Sequence, residues 1–322
     1  MNQTLKIGQV FVPGGQPIYT YNPRKASSLE ERLQDYLDSP FKILSLTGAT
    51  KSGKTVLARK NLPKNEAIWV SGGQINTSVD LWNKIIDASN LFTEVSKTEA
   101  QSSTQSDSRK LDATAKVAGF GGGVATDHTE RNNVLSQQSY SRKTDAIFLA
   151  TNFLSNTRAP LVIDDFHYIS SEVQLKIIRA LKECVFEGVP VIIIAVPHRA
   201  YDAVRVEKEM TGRVQQLPIP PWQPEDLSQI AGLGFNALNL DTSKSITDRL
   251  VMESFKSPHI VQEFCLSICR SNKIREAACL DNKKSLTPPA DWDRFFRDKA
   301  NQMGRKEFER GARHPLVREK IS

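Results

Sequence analysis

Gly48-Ala49-Thr50-Lys51-Ser52-Gly53-Lys54-Thr55 follows directly on an apolar run, Phe41-Lys42-Ile43-Leu44-Ser45-Leu46-Thr47. The run has the length and composition of a buried strand, and the octet completes the GxxxxGK[ST] pattern. Between a strand and the start of a helix, successive backbone N–H groups of the octet can wrap a phosphate. The positive end of the helix dipole, beginning near Lys54, adds to that field. Lys54 would then reach the β- and γ-phosphates of a nucleotide as a point charge, and the Thr55 hydroxyl would ligate Mg²⁺. The cradle runs from Gly48 to Val56. A turn rich in Gly, Ser and Lys can match such a pattern by chance, so a second half of the site is required.

Ala159-Pro160-Leu161-Val162-Ile163-Asp164-Asp165 supplies it, as a short β-branched run that delivers two adjacent carboxylates. Asp164 would hold Mg²⁺ through its water shell, because Mg²⁺ keeps several waters and takes few protein ligands. Asp165 would stand beside the γ-phosphate as the base or orienter of an attacking water. Taken alone, a strand ending in two aspartates also fits a solvated turn. Paired with the loop, it reads as a metal site.

The chain has 322 residues, 39% of them hydrophobic and 25% charged, enough for one large domain and a smaller one. Its formal charge of +7, from 43 Lys and Arg against 36 Asp and Glu, permits nucleic acid or another acidic partner without demanding one. Four cysteines are present, Cys184, Cys265, Cys269 and Cys279. Cys265 and Cys269 stand four apart in the helix expected over Ile260–Arg270 and share one face. A zinc site would need two more ligands, and only Cys279 and His259 are near, so free buried thiols are expected. Met1-Asn2-Gln3-Thr4-Leu5-Lys6 lacks the apolar core of a secretory signal, and no run approaches the ~18 apolar residues of a membrane span. The expectation is the reducing cytoplasm and no membrane partner.

Outward from the loop, Leu29, Leu33 and Leu37 repeat at four residues and predict a helix before the first strand. Beyond it, Ala67–Ser71 reads as a strand and Val79–Ile86 as a helix. From about Thr93 to Lys143 the chain turns polar, with a Gly119-Phe120-Gly121-Gly122-Gly123 knot read as a loop or hairpin tip. Such composition buries little apolar surface and predicts a mobile insertion. A helix over Ala146–Leu154 leads into the acid-bearing strand, an amphipathic helix covers Val173–Val185, and Val189–Val196 is a continuous apolar strand. A run of that kind is buried on both faces, as in a parallel sheet covered by helices. Val214–Ile219 looks like the last strand. Strands alternating with helices predict an α/β, three-layer P-loop NTPase fold with a parallel sheet. Past Pro220-Pro221-Trp222 the pattern is helical only, over Pro224–Leu233, Asp241–Phe255, Pro258–Arg270 and Pro289–Gln302, which predicts a small helical lid domain. The chain thus divides into an N-terminal segment over 1–40, a core over 41–222 carrying the 93–143 insertion, and the lid with a basic tail over 223–322.

The order of these parts resembles the ATPases that place an extra strand between the phosphate loop and the acidic strand. Within them it looks like the AAA+ and STAND families, including origin-recognition and transposition-helper ATPases. The resemblance covers roughly residues 20–270, with strong motifs at Gly48–Thr55 and Leu161–Asp165. It implies ATP and Mg²⁺ as ligands and further roles by position. Tyr21 and Arg24 lie where such proteins carry an adenine-contacting segment, although an ordinary Pro-flanked turn fits the same residues. His198, after the fourth strand, takes the place of a γ-phosphate sensor, or that of a capping or surface histidine. Arg213, just before the last strand, occupies the arginine-finger position and would reach a neighbour's nucleotide; a solvated Arg at a strand entrance fits too. Ser257-Pro258-His259 matches the second-sensor segment of the lid, with His259 in place of the usual Arg. Many such ATPases carry Glu where this chain has Asp165, one methylene shorter, which implies slow hydrolysis.

These features together imply an ATP-binding, slowly hydrolysing molecular switch that assembles with itself or with a partner protein. By analogy, its setting would be a defence, transposition or signalling system. The alternative is a DNA-associated ATPase, a loader or remodeller, drawing on the positive charge and the basic tail. A GTPase is disfavoured: no [NT]KxD segment follows the fourth strand, and Asn282-Lys283-Lys284-Ser285 lacks the acid and lies too far on.

Overall fold

The computed structural model describes residues 4–91, 94–102, 135–143, 145–196, 212–279 and 282–303, with 94–102 and 135–143 as backbone alone. Five parallel strands, β1 (Ile43–Thr47), β2 (Ile68–Ser71), β5 (Leu161–Asp164), β6 (Val191–Ala195) and β7 (Val214–Pro218), form one sheet in the order β2-β5-β6-β1-β7. β6 therefore separates the strand before the phosphate loop from the acidic strand. Every residue of β1 and β6 is buried. Ile43 and Leu161 both pair with Val191, so the three central strands start level and Thr47 and Asp164 emerge at the same edge. Ligands of open α/β sheets bind at that carboxyl edge.

Side chains along the strands alternate between two cores. Ile43, Val191 and Ile193 face Leu81, Trp82 and Ile85 of α4 (Ser78–Ala88) and Ile177 and Ile178 of α6 (Ser171–Ala180). Leu44, Leu46, Ile192 and Ile194 face Leu33 of α2 (Leu29–Asp38) and Leu57 of α3 (Lys54–Asn61). The three-layer α/β expectation holds. Two local expectations are corrected. The single helix over 173–185 is two, because Leu181, at φ −79° and ψ −8°, breaks the run between α6 and α7 (Lys182–Phe186). The ends of the polar insertion are regular: β3 (Glu94–Ser102) and β4 (Leu135–Lys143) pair antiparallel from Glu94↔Lys143 to Ser102↔Leu135. In a two-stranded antiparallel ribbon alternate residues pair across the ladder, and the outward backbone groups are left for water. Gly119–Gly123 and the basic tail from Arg305 lie outside the described residues.

After Trp222 come α8 (Pro224–Ala237), α9 (Lys244–Met252), α10 (Pro258–Ser271) and α11 (Trp292–Gln302). Ser243 and Asp291 accept from backbone N–H groups as N-caps, so α9 and α11 start a few residues later than the periodicity predicts. Their core includes residues from the opposite end of the chain. α1 (Ile7–Val10) and Phe11 pack into it, Phe11 edge-on to Phe235 with ring centroids 5.3 Å apart. The backbone joins them as well: Ile7 N–H donates to Arg275 at 3.1 Å and Ala277 N–H to Leu5 at 2.8 Å. Cys184, Cys265 and Cys269 are buried and Cys279 is exposed, and all four are free thiols. Burial holds the Cys265 thiol well above its usual range and pushes Cys269 up to about 12.

Candidate functional site

The phosphate loop leaves β1 and enters α3 through two left-handed residues, Lys51 at φ 61° and Gly53 at φ 94°. Gly53 is the N-cap of α3. Gly48 is required by packing, since a Cβ there would lie 2.9 Å from Ser52 Oγ and 3.0 Å from Ile219 Cβ. Lys54 is buried, and its ammonium donates to the carbonyls of Gly48 and Ala49, each at 2.8 Å. Burial lowers its pKa, against the attraction of Asp164 and Asp165. Thr55 Oγ1 donates to Asp164 Oδ1 at 3.2 Å, and Asp165 N–H donates to the same oxygen at 3.0 Å. Burial and the neighbouring Asp165 charge raise the Asp164 pKa, and those hydrogen bonds work in the opposite direction.

Asp165 is exposed, turned out of the strand by a left-handed backbone at φ 55°. Gly72, just past β2, lies so close beneath that any Cβ would strike the Asp165 carbonyl. Gln174 pins the far side of the same turn, donating from Nε2 to the carbonyls of Phe166 and Ile169 at 3.0 Å each. The acid pair thus sits on a braced turn directly beside Thr55.

A cavity of about 400 Å³ opens over this loop. Residues Thr50 to Val56 and Asp165 form one side of it, Tyr21 and Arg24 of the N-terminal strap another, and His259 and Gln262 of α10 a third. The Tyr21 hydroxyl donates to Glu30 Oε1 at 2.7 Å, and burial followed by that carboxylate raises its pKa. Arg24 is buried at a left-handed φ of 49°. Its Nη1 donates to the Pro220 carbonyl at 2.8 Å, and its guanidinium lies 4.3 Å from the centre of the Trp222 ring. Burial lowers its pKa, partly offset by Asp226. Arg24 therefore borders the cavity while bracing the junction between sheet and lid. His259, next to Pro258 at the start of α10, brings Nε2 to 3.3 Å from Lys51 Nζ.

Arg213 stands apart from this group. Its carbonyl accepts from Ile43 N–H at 2.8 Å at the entrance of β7, the end of the sheet opposite the phosphate loop. His198 lies outside the described residues. Trp222 is the contributor that motif reading passes over. Its indole N–H donates to the Ser52 carbonyl at 2.9 Å while its ring belongs to the lid core. The Pro220-Pro221-Trp222 signal marks a domain boundary in the sequence; an aromatic residue at that boundary is the only hint of the bridge it makes.

The donor set suits an Mg-nucleotide. The cradle holds a buried ammonium and a buried Ser52 hydroxyl that has no hydrogen-bond partner, an excess of donors that an anion would take up. Among the described residues no three His, Cys, Asp or Glu side chains converge on a metal position. A metal at Thr55 and Asp164 would complete its shell with water and phosphate oxygens, the habit of Mg²⁺.

No family model matches the chain, and no curated protein matches it by sequence. Solved structures do. A Walker-type ATPase of Pyrococcus abyssi aligns over 91% of this chain and 75% of its own, with TM-score 0.54 and 14% identity. Cdc6p from Pyrobaculum aerophilum aligns over 86% of this chain and 69% of its own, with TM-score 0.50 and 14% identity. With β6 set between the phosphate-loop strand and the acidic strand, the chain shares the three-layer α/β fold of these two structures.

Proposed function

We propose that this chain binds Mg-ATP in the cavity over the phosphate loop, hydrolyses it slowly, and acts as a switch through its helical lid. The observation that carries the reading is the set of bonds running from the loop to the rest of the molecule. Trp222 and His259 reach it from the lid side, and Gln16 Nε2 donates to the Val56 carbonyl at 3.4 Å from the strap. Any rearrangement of the loop around phosphates is therefore felt at the lid. Bound Mg²⁺ would supply positive charge to offset the charge that develops on the transferred phosphoryl group. Thr55 and Asp164 hold it, Lys54 exchanges its two loop carbonyls for phosphate oxygens, and Asp165 orients the attacking water. The shorter Asp in place of Glu supports slow turnover.

The lid, over 223–322, and the strap supply the surface that nucleotide changes for a partner protein or a second copy. Arg213, remote from its own chain's loop, is the residue we assign to a neighbour's nucleotide. No helix among the described residues is long and apolar enough to cross a membrane, and a cytoplasmic setting suits a nucleotide switch with free thiols.

ATP binding, turnover and oligomeric mass, measured together, test the proposal. Lys54→Ala is expected to lose ATP binding, and Asp165→Asn to keep binding while losing turnover by about 100-fold or more. Arg213→Ala is expected to bind ATP normally and lose turnover only in the assembled form. A wild type that stays monomeric with ATP, with Arg213→Ala silent, removes the assembly part and leaves a monomeric switch. Retained ATP binding in Lys54→Ala would sink the site itself.

A further inference from the structure

Gln262 lies in α10 among Ile260, Val261, Phe264 and Cys265, all buried, and is itself only 7% exposed. A carboxamide in such company must be satisfied, and its hydrogen bonds decide which way it faces. Oε1 accepts from the Val12 backbone N–H at 2.9 Å. Thr20 Oγ1 stands 3.1 Å from the same oxygen and 3.2 Å from the Val10 carbonyl, so its single proton is shared between them. A backbone N–H can only donate, so the atom facing Val12 is the oxygen and the amide cannot be turned over.

The NH₂ group is thereby turned away from the Val12 N–H. Among the described residues Nε2 makes no hydrogen bond, yet it is not sealed off from solvent, and the open space Gln262 borders is the nucleotide cavity. The same cavity is lined by apolar and aromatic residues, Ile230 from α8, Pro258 from α10, and Tyr21 and Leu29 from the strap and α2, beside polar ones such as Asn22 and Arg24. Apolar surface with a few oriented polar groups is how a site holds and reads a ring.

On the reading that ATP occupies this cavity, we infer that the Gln262 carboxamide, locked by Val12, donates from Nε2 to a ring nitrogen of the adenine and so positions the base. The lock matters chemically. With Oε1 already taken by the strap, Gln262 offers the base donors only, and adenine presents bare ring nitrogens as acceptors. The same bond ties base recognition to strap position, because the strap holds the amide in its reading orientation.

Deaza analogues, in which one ring nitrogen becomes C–H, test this with the full chain. Dissociation constants are measured by calorimetry for ATP and its 1-deaza, 3-deaza and 7-deaza forms, with wild type, Gln262→Met and Gln262→Glu. One analogue is expected to bind wild type about tenfold more weakly than ATP, the loss of one hydrogen bond. That analogue and ATP should bind equally to Gln262→Met. Gln262→Glu keeps an oxygen for Val12 and Thr20 but turns oxygen toward the ring, so ATP is expected to bind it at least about tenfold more weakly than wild type, again with no preference over the analogue. If Gln262→Met fails to fold, Gln262→Glu carries the comparison, since it leaves the strap's donors satisfied. Equal binding of ATP and all three analogues to wild type, or a preference that persists in the variants, overturns the role of Gln262 and leaves the nucleotide site intact. A wild type that binds no ATP overturns both.

Discussion

Asp165 owes its position to a glycine just past another strand. The left-handed turn that carries its carboxylate out of the sheet rests on the backbone of Gly72, with no room for a methyl group between them. Because the clash is with main chain rather than a flexible side chain, Gly72→Ala must displace the acid turn. The expected loss of stability is about 1–3 kcal/mol. Thermal unfolding should show it, and ATP turnover should fall about tenfold or more while ATP binding survives; turnover at the wild-type rate would sink the idea. The candidate phosphate and metal residues were open to sequence reading for a simple reason. A phosphate cradle and an acidic strand end demand particular residue types at fixed spacing, and Gly48–Thr55 and Asp164–Asp165 meet that demand locally. Gly72, Trp222 and Gln262 meet theirs through space, and each looks ordinary in its own stretch: a loop glycine, a boundary aromatic, a polar position in an amphipathic helix.

Among the elements, the strands were legible because each is a short apolar run bounded by turns, whereas the strand set between loop and acid came only from the resemblance to ATPases of that arrangement. The β3–β4 ribbon was not legible. Its residues are polar, and its order comes from backbone pairing that leaves no hydrophobic period to read. The ribbon also brings its two ends together at Glu94↔Lys143, just beyond the neighbouring helices α4 and α5 (Ala146–Thr157). Replacing the residues between that pair by a two-residue turn therefore closes the chain without stretching it. The shortened protein is expected to melt within about 5 °C of the full chain, a change of about 1 kcal/mol or less, and to bind ATP with unchanged affinity. A large loss of affinity would assign the ribbon a part in the nucleotide site.

At the scale of the whole molecule, the lid is built from both ends of the chain. Phe11 is fully buried against Phe235, and Gly234 leaves room for its ring. Phe11→Ala is expected to remove about 3–5 kcal/mol, read as a lower urea midpoint, and to weaken ATP binding by loosening the strap over the cavity. An unchanged midpoint would mean that the strap is only draped over the lid. Periodicity could not reveal this arrangement, because the contact is non-local: the Val12–Gln262 bond spans 250 positions. During synthesis the strap emerges well before its partners on α8 and α10, with 250 positions between Val12 and Gln262. The sheet can assemble while the strap waits, but the cavity over the phosphate loop has no third wall until α10 has emerged. A chain stopped before α10 would carry an intact phosphate loop beneath a cavity still open on one side.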